Sequence, residues 1–255
     1  MLLAVNIGNT GTELGLFGDE GELLFSAYLD SGRNSSIHGC ALDIKGVFEL
    51  YGHWGCRVEG AIISSVVPPA TDSVKAAVEL LFGVKALVLG PGVKTGLNIR
   101  AQSHSEMGED LIAMAVGALS RYAPPLIIVD FGTAVTFSAV DASSAFLGGA
   151  ICPGVGISLT ALSGSAAQLP HISLGSVKKP ISSNTADAMR SGVVYGTAGM
   201  VDAVADAMKE QLGGTVRVIA TGQRIECVLE KCRTEMVFDK DLLMEGLYQI
   251  FCKNC

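Results

Sequence analysis

Residues 2–17, LLAVNIGNTGTELGLF, and residues 126–140, LIIVDFGTAVTFSAV, decide how this chain is read. Each is an apolar run, a short polar turn built on glycine, and a second run in which apolar residues alternate. That is the pattern of two antiparallel strands joined by a tight turn. Laying Asp130 over Asn6 also lays Gly132 over Gly8 and Thr136 over Thr12, an offset of 124 residues. The recurrence predicts two copies of one β-turn-β unit, hence two related α/β domains.

Outward from the first copy, residues 21–28 read as a third strand, residues 30–36 as a polar connection, and the stretch to Tyr51 as a helix. Residues 61–67, AIISSVV, form a buried strand that Pro68 and Pro69 end, followed by helical spacing over 71–82 and a strand at 86–89. A Gly- and Pro-rich connector over 90–105 leads to a helix over 106–123, stopped by Pro124 and Pro125. Beyond the second copy come a strand at 145–151, a helix starting at 153–162, a largely helical stretch over 184–212, a strand at 216–220 and an amphipathic helix at 241–252. The expected boundary falls at the proline pair, giving domains 1–124 and 125–255, with the helix over about 106–123 closing the first.

Composition narrows the class. The 255 residues are 49% hydrophobic and 17% charged, which excludes a disordered chain. The net charge of −7, with no basic run, argues against nucleic acid or an anionic membrane as partner. No apolar run approaches the roughly 20 residues of a membrane helix, and the start MLLAVNIGNT has no basic signal-peptide region, so a cytoplasmic location is expected. Seven cysteines include one C-x-x-C pair, Cys252 and Cys255, without a second pair or a nearby His; reduced thiols are expected rather than a metal site.

The turns carry the chemistry. Backbone N–H groups of a Gly-containing turn can converge on a phosphate, and Thr hydroxyls add donors. The plain alternative, that G-N-T and G-T-A only close hairpins, is weakened by their recurrence. Asp130 ends the apolar strand LIIVD, where a carboxylate suits a hard cation or caps the turn. Asp110 opens a helix in G-E-D-L, as a general base or as a charge on the helix start, a role open also to Glu106 and Glu109. His104 and His171 lie in polar connectors and read as solvated or structural.

In order along the chain stand N-I-G-N-T (6–10), I-I-S-S-V-V-P (62–68), G-P-G-V-K-T-G-L (90–97), G-E-D (108–110), V-D-F-G-T-A-V-T-F (129–137), L-G-G-A-I-C-P-G (147–154), N-T-A-D-A-M-R-S-G-V-V-Y-G (184–196) and I-A-T-G (219–222). This ordered set resembles the type III pantothenate kinases. The resemblance implies an α/β fold of two ribonuclease-H-like domains of the actin-like ATPase superfamily, with ATP in the cleft between them. It implies ATP-dependent phosphorylation of the terminal hydroxyl of pantothenate, the first step of coenzyme A synthesis. Mg²⁺, a monovalent cation (K⁺ or NH₄⁺) and a homodimer come with it.

Carried onto this chain, the resemblance implies that Asn6, Ile7, Gly8 and Asn9, with Thr10, Gly11, Thr12 and Glu13, form the first ATP phosphate turn, and that Thr133 touches the ATP phosphates. Asp130 would hold the monovalent cation. Gly108, Glu109, Asp110 and Leu111, with Ala101 and Thr185, would contact pantothenate, and Asp110 would be the general base. The chain departs from the family where Asn6 replaces the Asp of D-x-G-N-T, Leu111 the Arg of G-x-D-R, Ala101 a Tyr, Ser138 a frequent Asp, and Gln223 the last Gly of T-G-G. These departures leave two other readings, a catalytically impaired homologue that binds nucleotide or metabolite as a regulator, and a kinase for a different small hydroxy acid.

Overall fold

The computed structural model describes residues 1–30, 36–101, 107–223 and 225–255. In chain order the elements are β1 (Leu2–Ile7), β2 (Gly11–Phe17), β3 (Leu23–Asp30), α1 (Ile37–Leu50), β4 (Gly60–Ser65), α2 (Pro68–Phe82), β5 (Ala86–Val88), β6 (Asn98–Ile99) and α3 (Glu109–Arg121). They continue with β7 (Leu126–Phe131), β8 (Ala134–Val140), β9 (Ala145–Pro153), α4 (Val155–Ser165), α5 (Thr185–Leu212), β10 (Arg217–Gly222), α6 (Glu226–Leu229), β11 (Val237–Phe238) and α7 (Leu242–Cys252). Contacts divide the chain into two units. Unit 1 takes Met1–Asn98, the described part of Gln102–Arg121, and Asp241–Cys255; unit 2 takes Ile99–Ala101 and Tyr122–Lys240.

Unit 1 is built on a sheet of order β3-β2-β1-β4-β5, in which β1 runs antiparallel to β2 and parallel to β4. Strand periodicity sends Leu3, Val5 and Ile7 to one face, where they join Leu14, Leu16 and Ile63 against Ile44 and Phe48 of α1 and Val74 and Val78 of α2. Phe25 and Phe48 meet edge-on at 5.4 Å within this core. Helices α3 and α7 pack on each other and reach β4 and β1. Their contact is backbone to backbone: a Cβ on Gly246 would overlap the Ala113 carbonyl oxygen, and one on Gly117 the Leu242 carbonyl oxygen. Arg121 and Glu245 add an ion pair at 2.8 Å.

Unit 2 repeats the design. Its sheet has the order β11-β10-β7-β8-β9-β6, so β9-β8-β7-β10-β11 matches β3-β2-β1-β4-β5, and β7 is again antiparallel to one neighbour and parallel to the other. Strand β6 is an addition at the β9 edge, where the Arg100 N–H donates to the Phe146 carbonyl at 2.9 Å. Ile127, Val129, Phe131 and Phe137 pack with Val194, Ala198 and Val201 of α5. Asp202 of α5, almost wholly buried, accepts the N–H groups of Arg233 and Thr234 at 2.9 Å each. Burial pushes its carboxyl up, and hydrogen bonds from the backbones and side chains of Thr234 and Arg233 together more than reverse this, leaving it below its ordinary value.

Several boundaries differ from the sequence expectation. The buried strand ends at Ser65, and Pro68 and Pro69 open α2 rather than precede it, since a proline in the first turn removes no intrahelical bond. The helix expected over 106–123 spans Glu109–Arg121; Glu106 and His104 lie outside the described residues. The short elements β6, β11 and α6 show no period in the sequence. Helix α7 belongs with unit 1 and not with the second half of the chain, because its apolar side packs on α3.

The duplication is also not in strict step. Asn6 pairs with Glu13, seven residues on, but Asp130 pairs with Thr136, six residues on. The first turn closes with the Gly8 N–H on the Gly11 carbonyl at 2.8 Å, and the second with the Gly132 N–H on the Ala134 carbonyl at 3.0 Å. The second turn is one residue shorter, and Thr136 corresponds to Glu13 rather than to Thr12.

A Gly246→Ala variant is expected to lose about 1–3 kcal/mol of stability, because its methyl group forces α3 and α7 apart. Gly192→Ala, on α5 with open space around it, is expected to gain about 0.5–1 kcal/mol. Urea midpoints measure both, and a Gly246→Ala protein as stable as the parent would refute the close helix contact.

Candidate active site

In unit 1 the polar groups gather at the carboxyl ends of β1 and β4. Ile7 contributes only backbone there: its side chain is buried in the core, and its carbonyl accepts the Val66 N–H at 3.0 Å. Gly11 has no room for a side chain, since a Cβ would overlap the Tyr28 ring, and the Tyr28 hydroxyl donates to Thr10 Oγ1 at 3.1 Å. Tyr28 therefore clamps the first turn from the neighbouring strand. Asn9 and Thr10 are exposed at its tip, and Thr12 and Glu13 are half-buried behind it. Glu13 Oε1 accepts the Ser26 hydroxyl at 3.2 Å.

Asn6 sits one residue before the end of β1, in register with Ser64 of β4 on the same face of the sheet. The Asn6 Oδ1 and the Ser64 Oγ are both sealed from solvent without a hydrogen-bond partner among the described residues. Ser65 lies on the opposite face and ties down the start of α2: its hydroxyl oxygen accepts the Val67 N–H at 3.1 Å and the Thr71 hydroxyl at 2.8 Å.

The chain returns to this end of β4 at Gly108, where a Cβ would lie 3.7 Å from Val66. The same Cβ would overlap Asp110 Oδ1, so only glycine leaves space for the carboxylate that folds back over it. Asp110 Oδ1 accepts the Leu111 N–H at 2.9 Å. Burial pushes the Asp110 carboxyl above its ordinary value, and the N–H groups of Leu111 and of Asp110 itself pull it only partly back. A half-buried carboxylate of this kind is a better proton acceptor than an exposed one. Leu111 supplies a backbone donor and no charge, and Glu109 is the first residue of α3.

In unit 2, Asp130 is the penultimate residue of β7, flanked in register by Thr136 of β8 and the buried Thr221 of β10. A Cβ on Gly132 would lie 3.3 Å from Asp130 Oδ2, so the carboxylate stands beside the second turn. Two glycines let other elements close on that turn. A Cβ on Gly154, at the start of α4, would overlap the Thr133 carbonyl oxygen, and Gly222 takes a left-handed φ of 116° against the Phe131 backbone. Gln223 is exposed beyond it.

Asp130 and Thr221 are hard oxygen donors, the type that suits a monovalent cation such as K⁺. Mg²⁺ is a poorer match for the first turn: its carboxylate, Glu13, is engaged by Ser26, and the amide oxygen of Asn6 is sealed. Among the described residues no group of three or more His, Cys, Asp or Glu could hold a metal ion.

Thr185 opens α5, whose start is capped by Asn184 Oδ1 accepting the Asp187 N–H at 2.9 Å. Asp187 pairs with Arg190 at 2.9 Å, Arg190 Nε donates to the Ser173 carbonyl at 3.0 Å, and the Ser191 hydroxyl to the Pro180 carbonyl at 2.8 Å. The N-T-A-D-A-M-R-S run is thus a cap plus a tie that holds residues 173–180 on α5, beside an open cavity of about 490 Å³ lined by Lys178, Lys179 and Ser183. His171 bonds through Nδ1 to the Ser163 hydroxyl at 2.9 Å, a structural contact. Ala101 and Thr185 belong to unit 2, and Gly108 to Leu111 to unit 1. Sequence reading missed Tyr28, Ser64 and the turn contacts of Gly154 and Gly222; a serine at the exit of an otherwise apolar strand was the available signal for Ser64.

Comparison with known proteins follows the same lines. The chain is similar in structure to a protein assigned as a 2-dehydro-3-deoxygalactonokinase from Sinorhizobium meliloti, with a TM-score of 0.57 and 13% identity over 100% of this chain and 99% of that one. Component A of the (R)-2-hydroxyglutaryl-CoA dehydratase of Acidaminococcus fermentans matches with a TM-score of 0.55 and 12% identity, covering 98% of this chain and 95% of that one. The activator of the 2-hydroxyisocaproyl-CoA dehydratase from Clostridium difficile, with ADPNP bound, matches with a TM-score of 0.53 and 10% identity over 99% and 94%. These likenesses show the fold, two ribonuclease-H-like units of the actin-like ATPase type. The family described as Type III pantothenate kinase matches residues 2–207, from the first hairpin into α5, and the chain belongs to that family.

Proposed function

We propose that the protein transfers the γ-phosphoryl group of ATP to the terminal hydroxyl of pantothenate. The observation that carries this reading is Asp110, a half-buried carboxylate of raised proton affinity, held over Gly108 at the start of a helix. In the step, the pantothenate oxygen forms its bond to the γ-phosphorus as the bond from that phosphorus to the β-bridging oxygen breaks. ADP leaves with the electron pair, and the hydroxyl proton passes to Asp110.

The remaining residues orient and neutralise. Exposed Asn9 and Thr10 of the first turn and Thr133 of the second donate to phosphate oxygens, and Asp130 holds K⁺ or NH₄⁺. Mg²⁺, bound to the nucleotide, offsets phosphate charge. A nucleotide analogue bound to the dehydratase activator supports nucleotide binding by this fold. The working form is a cytoplasmic homodimer; among the described residues no helix is long and apolar enough to cross a membrane. One observation favours a second reading, a different small hydroxy acid as acceptor: Leu111 offers a backbone N–H and no guanidinium beside the base.

ADP release with pantothenate, Mg²⁺ and ATP, with and without K⁺, tests the first reading, and mass spectrometry identifies the product. Turnover on another hydroxy acid alone selects the second, and none on any acceptor refutes both. Asp110→Asn is expected to lower kcat by about 10²–10⁴-fold. Its stability at neutral pH is expected to equal or exceed that of the parent. The raised carboxyl favours folding below its unfolded pKa, and that advantage is lost as pH rises through the folded value. For the same reason kcat/KM is expected to fall on acidification at a pH above the ordinary value of an aspartate. A limb at the ordinary carboxylate value would remove Asp110 from the role of base.

A further inference from the structure

Two adjacent buried oxygens in the middle of a sheet are costly to leave unpaired, and each needs a reason. Asn6 Oδ1 and Ser64 Oγ are such a pair, in register on neighbouring parallel strands at the end of the sheet where the first turn lies. Ser64 is fully buried, whereas Asn6 keeps part of its surface. With its oxygen sealed, the polar group that the Asn6 amide has left to offer is Nδ2, a donor. Of the turn's other side chains, Asn9 and Thr12 are neutral and Thr10 accepts from Tyr28, while the one carboxylate, Glu13, opposite Asn6 across the hairpin, accepts from Ser26.

We propose that Asn6 and Ser64 make the β1–β4 side of the first turn a donor cradle, which grips the phosphate oxygens of a nucleoside di- or triphosphate without a divalent cation between them. The inference rests on the reading that nucleotide binds this turn. A carboxylate at position 6 would repel bare phosphate and require a cation as bridge, whereas an amide N–H₂ meets phosphate oxygen directly. Ser64 is a positioning residue: its hydroxyl stands in register to donate to Asn6 Oδ1 and fix the amide with its N–H₂ outward. Both orphaned groups are then satisfied in the nucleotide-bound state.

Calorimetric titration of the full chain with ATP and ADP, at equal ionic strength in Mg²⁺ or in EDTA, tests this. For the unmodified protein the Kd is expected to change by less than about threefold on removing Mg²⁺, under 0.7 kcal/mol. Asn6→Asp is expected to weaken binding in EDTA by about tenfold or more and to recover it in Mg²⁺. Ser64→Ala is expected to raise the Tm of the ligand-free protein, by removing an unpaired buried hydroxyl, yet to weaken nucleotide in both buffers. A merely structural Ser64 would change Tm alone, and that result would overturn its positioning role. Loss of tenfold or more in EDTA by the unmodified protein overturns the cradle while leaving nucleotide binding intact. Absence of nucleotide binding in both buffers overturns the proposed function itself.

Discussion

The whole molecule depends on one pairing constraint: the strands β1 and β7 each run antiparallel to one neighbour and parallel to the other. An antiparallel neighbour can follow directly through a tight turn, but a parallel neighbour must be reached by a longer crossover. The carboxyl end of each such strand is therefore at once a hairpin turn and the exit level of a parallel pair. Everything with chemistry in it hangs from that coincidence. Ser64 arrives beside Asn6 because β4 is parallel to β1, and Thr221 arrives beside Asp130 because β10 is parallel to β7. Backbone approach then replaces side-chain packing, which is why glycine occupies positions 154 and 222.

From this common frame the two units have diverged electrostatically. Position 6 carries an amide and position 130 a carboxylate at the same place in the register, while the residues opposite them are reversed, Glu13 in unit 1 and Thr136 in unit 2. Asp110 stands apart from both: its basicity comes from lost solvation, countered in part by backbone amides, and not from a charged partner. Leucine at the next position adds no charge to that surrounding.

The hairpins, and with them the fold, were legible because strand alternation has a period of two and the second copy restates the first. The one-residue difference between the turns was not, because an alignment of letters cannot show which residues pair across a strand. Thr136 opposes Asp130 only once β8 is laid against β7. Proline was misread at position 68 for a related reason: the same missing N–H that ends a strand is harmless in the first turn of a helix. At the site, Asp130 announced itself as a lone charge ending an apolar strand, and Asp110, beside Glu109, as a carboxylate at a helix start. Ser64 did not, since the cost it carries is an absent partner, and absence of a partner is a property of three dimensions.

Helix α7 gives the architecture a direction in time. Unit 2 outside its short β6 excursion is a single run of chain, but unit 1 is closed by residues 241–255, with α7 lying against α3 through Gly117 and Gly246. On a ribosome, which releases the chain from its amino end, the unit that begins first is finished last. Unit 2 has all its own residues available while unit 1 still waits for its last helix, and α3 stays uncovered on that side until α7 has emerged.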